Sequence, residues 1–433
     1  MGIGNTIRRI GFWAIDTFKG GHIKMHYQDV AQIMESPFSE KAVDRRNEIL
    51  NELLEHSIKT VPFYSRYEQF HFEQFPVIKK DLILDNFDDF KSHKFLTKSL
   101  YKVATSGSTG IPFFLFMNLN KRNRNTADTL FFFNKVEYDI GERLYYLRLW
   151  KGEHKNALSR LLQNIVKVDI SKMNDEIINA LLKKLQKDKS SKAIIGIASS
   201  FDTLCNYLDK NNSENKDFNI KSFVAISEAL DPYTKKSIEK YFKAPVVSRY
   251  STEEQGIIAQ QEINDNDTFK INWASYIVEI FDLKKDTKAE LGEIGRIVVT
   301  DLFNYSMPLI RYDTGDIGVM ELLDNELVLT KIEGRKLDLI YDTKNRLVSS
   351  YSIYPVMKIY YHLIKQYQFI QVGQKDYVIK LNLYGAFDYK KELVNSFKSL
   401  LGDDAEINIE FVDEIPVLSS GKRKKVMNTF NQN

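Results

Sequence analysis
The chain has 433 residues, beyond the length at which one hydrophobic core stops growing, so two unequal domains are expected. Hydrophobic residues at 43% and charged residues at 27% are the balance of a folded globular protein and exclude a fibrous or disordered chain. The 61 basic and 58 acidic residues leave a net charge of +3, too small for a nucleic-acid footprint, and the lone Cys205 excludes an internal disulfide and points to a reducing compartment.

In chain order, the first segment with character is IRRIGFWAIDTFKGGHIK, residues 7–24. It predicts a helix with apolar and basic faces whose aromatics Phe12, Trp13 and Phe18 pack into the domain. Surface contact with an anionic membrane is the other reading. No apolar run approaches the roughly 18 residues needed to span a bilayer, and no signal-peptide pattern is visible, so the expected location is cytoplasmic. His22 and His26 stand four apart without the glutamate of H-E-x-x-H, and no metal site is assigned to them.

Val43, Ile49, Leu50, Leu53, Leu54 and Ile58 recur at helical spacing between Lys41 and Thr60, before Pro62. Residues 100–104 and 112–117 read as strands, which makes the intervening loop a strand-to-strand connection. A helix face from Met173 to Leu185 precedes the buried-strand run AIIGIAS. The pattern then repeats with a helix from Phe201 to Leu208, SFVAIS, a helix after Asp231 and Pro232, and PVVSRYS. Alternation of this kind predicts parallel strands with right-handed crossovers. Residues 277–300 and 327–341 read as antiparallel or mixed β structure, and the remainder as a small α+β domain. Residues 209–217, DKNNSENKD, read as a surface loop.

The loop SGSTG offers hydroxyls at Ser106, Ser108 and Thr109, with Gly107 and Gly110 free to turn their N–H groups inward. Such a concave set of donors suits phosphate oxygens. A Walker A loop would need a lysine and a following helix, and neither is here. Four further stretches follow in order: ISEALDP (226–232), SRYSTEEQG (248–256), IRYDTGDIG (310–318) and EGRKLDLI (333–340), before PVLSSGKRKK (416–425).

Together they resemble the adenylate-forming superfamily, most closely its phenylacetate-CoA ligase and CapK-like capsular polysaccharide branch. The resemblance implies an α/β fold: a large N-terminal domain with mixed sheets and helices, residues 1–334, and a small mobile α+β domain, residues 335–433. It implies that Ser106, Gly107, Ser108, Thr109 and Gly110 cradle the departing phosphates, and that Ser227 and Glu228 also contact the nucleotide. Tyr250 would lie against adenine, with Ser251 and Thr252 beside it; Ser251 replaces the family's glycine. The glutamate serving Mg²⁺ is Glu254 by strict spacing, or Glu253 if the motif is one residue shorter. Asp316 would accept both ribose hydroxyls, supported by Arg311 and Tyr312, and Arg335 would approach the nucleotide. Lys422 would meet the α-phosphate and the carboxylate, while Lys424 and Lys425 are expected to be surface charges.

The implied activity is ATP-dependent activation of a small carboxylic acid to an acyl-adenylate, with pyrophosphate released. Acyl transfer would follow to CoA or to an amine or sugar hydroxyl in surface-polysaccharide assembly. ATP and Mg²⁺ are implied cofactors, with CoA as one acceptor. Ser199, Phe201, Ala225 and Val247 are placed by analogy around the acid. The alternative is a binding or assembly protein that keeps the fold without turnover; Ser251 and the sequence Lys336, Leu337 before Asp338 are the departures that favour it.

Overall fold
The computed structural model describes residues 3–67, 71–105, 113–150, 163–171, 173–214, 216–263, 267–335, 339–349, 352–416 and 424–430. The chain forms two compact units. One comprises Met1–Glu142, Lys155–Asn164 and Arg249–Ile332; the other comprises Arg143–His154, Ile165–Ser248 and Glu333–Asn433.

In the first unit, helix Glu40–Thr60 starts at Ser39, whose hydroxyl accepts the Ala42 N–H at 3.4 Å. Its apolar face, Ile49, Leu50, Leu53 and Leu54, packs with Phe63, Tyr64, Phe75 and Phe113 into a continuous core, and the helix stops before Pro62 as the periodicity predicts. Strands Tyr101–Thr105 and Phe113–Met117 pair antiparallel with Thr105 opposite Phe113, so residues 106–112 join two strands, as expected. The main sheet of this unit runs Tyr276–Phe281, Ile294–Asp301, Tyr312–Leu323, Glu326–Arg335, Phe269–Ile271, Gly256–Gln261 and Val246–Thr252. The Ile294–Asp301 strand pairs antiparallel with both of its neighbours.

The N-terminal segment is helical from Ile3 to Phe18, but Phe18 is exposed rather than packed. The reason lies two residues earlier. Asp16 is buried and accepts the N–H groups of Ile23 and Lys24 at 3.1 and 2.9 Å, at the start of helix His22–Glu35. Two residues on, Phe18 points to the opposite side of the helix. Phe12 and Trp13 are half-buried, and Trp13 meets Tyr27 edge to face at 5.9 Å.

In the second unit the strand order is Val246–Thr252, Ile220–Ile226, Lys192–Ile197, Arg143–Arg148 and Ile165–Asp169. The pairs Lys192–Ile197 with Ile220–Ile226, Arg143–Arg148 with Lys192–Ile197, and Arg143–Arg148 with Ile165–Asp169 are parallel, as the alternation predicts. Helices Asp175–Lys187, Ala198–Lys210 and Pro232–Phe242 cover the sheet through Ile178, Leu181, Leu185, Phe201, Leu204 and Phe242. Phe201 and Ala225 lie inside this core cluster, and Val247 is also buried.

The C-terminal residues of this unit build a four-stranded sheet in the order Glu406–Phe411, Asp376–Leu383, Ile364–Gln371 and Val426–Asn428. Helix Lys390–Leu401 packs Leu393, Phe397 and Leu401 with Phe369 and Ile379. Lys425 is not a surface charge: its side chain is 15% exposed, with Nζ 3.1 Å from Asp202 Oδ1 and 3.2 Å from Asp231 Oδ2. Two carboxylates far away in sequence draw it inward. Among the described residues no helix is long and apolar enough to cross a membrane.

Candidate functional site
Two strands of the first unit bring the motif residues together. On Val246–Thr252, Tyr250 projects into the unit, and the chain then turns through 253–255 to reach Gly256. Gly256 has φ +111°, and a Cβ there would sit 2.8 Å from Asn125 Oδ1 and 3.0 Å from the Tyr276 hydroxyl, so only glycine fits this return. The Thr252 hydroxyl accepts the Gln255 N–H at 3.2 Å and closes the turn. Within that turn Glu254 is buried and Glu253 is exposed.

The second strand, Tyr312–Leu323, carries Asp316. Its approach is fixed by Arg311, a non-glycine residue at φ +49°. The Arg311 guanidinium spans both oxygens of Glu279 at 3.1 Å and also donates to the Phe75 carbonyl at 2.9 Å, which holds the residue in this left-handed conformation. Backbone bonds from Ile78 N–H to the Arg311 carbonyl and from Asp313 N–H to the Ile78 carbonyl, at 3.0 and 2.9 Å, pin the strand on either side of Tyr312. Arg311 and Tyr312 therefore act as supports of the strand.

Tyr250 and Asp316, 66 residues apart, meet directly: the Tyr250 hydroxyl donates to Asp316 Oδ2 at 2.9 Å and lies 3.3 Å from Thr314 Oγ1. Thr314 accepts the Asp316 N–H at 3.1 Å and donates to the Ile297 carbonyl at 2.9 Å, anchoring the aspartate from behind. Thr314 lies inside the IRYDTGDIG stretch, where a hydroxyl two residues before the acid looks like any turn threonine; the second strand it touches is what distinguishes it. An aspartate with one oxygen fixed by a tyrosine hydroxyl is oriented and held in a mostly dry setting, which suits charge-assisted recognition of neutral hydroxyls.

In the second unit, Ser227 takes φ +70°, strained for a residue with a Cβ. The next residue, Glu228, accepts the Ser199 N–H at 2.9 Å in the first turn of helix Ala198–Lys210, a position where a carboxylate favours the helix dipole. Ser199 thus meets Glu228 rather than standing alone. Arg335 closes strand Glu326–Arg335, directly after Gly334 at φ +86°. Ser251 and Thr252 are half-buried beside Tyr250. Ser106, Gly107, Ser108, Thr109, Gly110 and Lys422 lie outside the described residues.

This fold is that of the adenylate-forming ligases, as the motif order implies. Residues 340–429 match the family described as the CapK C-terminal domain. Over its length the chain is similar to Protein CapK of Staphylococcus aureus, at 22% identity across 95% of this chain and 94% of that one. Among solved structures, 2-hydroxyisobutyryl-CoA ligase in its postadenylation state with R3-HIB-AMP superposes with a TM-score of 0.71 at 16% identity, covering 90% of this chain and 91% of that chain. ATP-bound MatB from Rhodopseudomonas palustris superposes with a TM-score of 0.55 at 15% identity, covering 75% of this chain and 66% of that chain.

Proposed function
We propose that the chain is an ATP-dependent ligase that activates a small carboxylic acid. A carboxylate oxygen attacks the α-phosphorus of ATP, the bond from that phosphorus to the bridging oxygen breaks, and pyrophosphate leaves with the electron pair. The acyl-adenylate then gives its acyl group to an acceptor. Reactions of this kind depend on positioning and charge neutralisation, so the residues proposed for them are hydrogen-bonding and charged groups.

The observation that carries this reading is the bond from the Tyr250 hydroxyl to Asp316 Oδ2 at 2.9 Å. The two residues assigned to the two ends of one nucleoside, base and ribose, are neighbours on separate strands. In the proposal Asp316 receives the ribose hydroxyls and Tyr250 lies along the base. Ser227 and Glu228 line the nucleotide, Arg335 approaches it, and the hydroxyls of 106–110 receive the departing phosphates. Residues 1–334 serve binding, and residues 335–433 carry Lys422 to the reacting oxygens. Glu254 would hold Mg²⁺, with Glu253 the alternative; the bound ion supplies positive charge against the phosphates. Among the described residues no three or more His, Cys, Asp or Glu side chains form a ready-made cage. A single carboxylate such as Glu254 is the kind of ligand that Mg²⁺ takes together with substrate phosphates.

A CoA ligase with R3-HIB-AMP among the structural neighbours supports CoA as the acceptor, and the resemblance of the motifs to the CapK-like branch, with the similarity to Protein CapK, supports an acceptor in surface-polysaccharide assembly. Pyrophosphate release with ATP and Mg²⁺ across aryl, fatty, amino and sugar acids tests the reading. We expect release that depends on one acid class and that falls by roughly a hundredfold or more in Lys422→Ala. No release with any acid, while ATP still binds, would favour the non-catalytic alternative.

A further inference from the structure
The N-terminal helix carries an apolar stripe on its outer side. Ile3 is 82% exposed, Ile7 63%, Ile10 62% and Phe18 95%, and Ala14 between them is exposed as well. At roughly 100° per residue these five positions fall within about 80° of arc, one continuous ridge along the helix. A helix that only served the core would turn such a ridge inward. This one instead turns its single carboxylate inward, where Asp16 caps the next helix through the N–H groups of Ile23 and Lys24.

What remains around the ridge is basic. Residues 3–24 contain Arg8, Arg9, Lys19 and Lys24, and Asp16 is their only acidic residue. Arg9 has Asp139 at 3.8 Å, a half-exposed pair of little energetic weight, while Lys19 and Lys24 are exposed. Beside the ridge opens a cleft of about 570 Å³ to which Ile10, Ala14, Trp13, Tyr27 and Phe133 contribute. Ile10 and Ala14 belong to both features, so the apolar surface is continuous from ridge to cleft. Trp13 and Tyr27, aromatic with a polar tip, are residue types suited to the boundary between water and hydrocarbon.

We propose that this face docks the protein on an anionic bilayer surface. The helix lies along the interface with Ile3, Ile7, Ile10 and Phe18 among the acyl chains, while the exposed Lys19 and Lys24 face phosphate headgroups; Arg8 is half-buried against the Gly141 carbonyl and Arg9 stays near Asp139. Its 16 residues are too few to span the hydrocarbon, so the attachment is peripheral and reversible. Charge decides between a membrane and a second copy of the chain. Two copies meeting ridge to ridge would bring like charges together, whereas acidic lipid is attracted by the exposed Lys19 and Lys24.

Vesicle flotation with the full chain separates these cases, using vesicles of phosphatidylcholine alone and vesicles that also contain phosphatidylglycerol. We expect binding to the anionic vesicles only, weakened by added salt and reduced roughly tenfold or more by Ile7→Ser or Phe18→Ser. A Lys19→Gln, Lys24→Gln double variant should weaken it as well. Both serine variants replace exposed side chains, so their unfolding midpoints should match the parent and confirm intact folding. Absence of binding to anionic vesicles overturns the proposal. So does equal binding to neutral vesicles, or a concentration-dependent dimer that Phe18→Ser abolishes while vesicles remain unbound.

Discussion
Lys425 shows how far a single residue can depart from its local surroundings. It ends the run GKRKK, a density of positive charge that reads as solvated chain. The structure places it instead between Asp202 and Asp231, with the rings of Tyr361 and Tyr367 at 5.9 and 5.5 Å. Burial opposes its charge, yet the two carboxylates outweigh burial and raise its pKa well above the usual lysine value. Burial also works against Asp231, but Lys425 and the Thr234 N–H and hydroxyl hold it below the ordinary aspartate range. For Asp202 burial prevails and its pKa is raised. Removing the cation would leave two carboxylates facing each other in a dry site. Lys425→Met should therefore cost about 3–5 kcal/mol in denaturant unfolding, and adding Asp202→Asn should return part of the loss. A change below about 1 kcal/mol would show that the ion triad contributes little. No sequence pattern announces this residue, because its partners, Asp202 in one helix and Asp231 capping the start of another, are remote along the chain. Asp316 is the opposite case: its motif is local, and Thr314, which accepts its N–H, stands two residues before it.

Among the elements, helix His22–Glu35 packs on helix Leu119–Asn134, and His26 sits where they meet. Its Nε2 is 2.9 Å from Asn120 Oδ1, and its ring meets Phe303 edge to face at 5.5 Å. Burial, then the nearby Arg124 guanidinium, lowers its pKa from 6.5 to about 4. As pH falls through that window the unfolded chain takes up a proton that the folded protein refuses. Stability present above pH 6.5 is thus lost progressively toward pH 4, by up to roughly 3 kcal/mol from this residue. His56, lowered by burial as well, adds a further share in the same direction. His26→Gln should flatten this part of the stability curve when unfolding is followed across pH; an unchanged slope would place the acid sensitivity elsewhere. The helices themselves were readable from apolar spacing, as were the parallel strands from their alternation with helices. The outward turn of Phe18 was not, since an amphipathic pattern states that a helix has two faces without saying which one meets water. The two glycines after the helix and the inward demand of Asp16 decide that.

For the whole molecule, the proposed ligase divides holding from reacting. Tyr250, Glu254 and Asp316 lie in the first compact unit, Glu254 in the turn after Thr252 and the other two on strands fixed by backbone pairing and by the Arg311–Glu279 fork. In the proposal they keep a nucleotide in place, and an interaction equal before and during reaction changes binding more than turnover. In the same proposal Lys422 would have the other task, since charge that develops only as the phosphorus is attacked would give it most to do at that moment. Binding and turnover should therefore separate by mutation. ATP at a hundredfold over its Kd should stabilise the parent by about 2.7 kcal/mol, read as a concentration-dependent rise in Tm. Lys422→Ala should keep most of that rise while losing pyrophosphate release, and Asp316→Ala should lose the rise itself. If both variants lose the rise equally with their folds intact, the lysine is a binding residue and this division fails. If Asp316→Ala keeps the rise, the Tyr250–Asp316 pair does not hold the ribose, and the nucleotide reading loses the observation on which it rests.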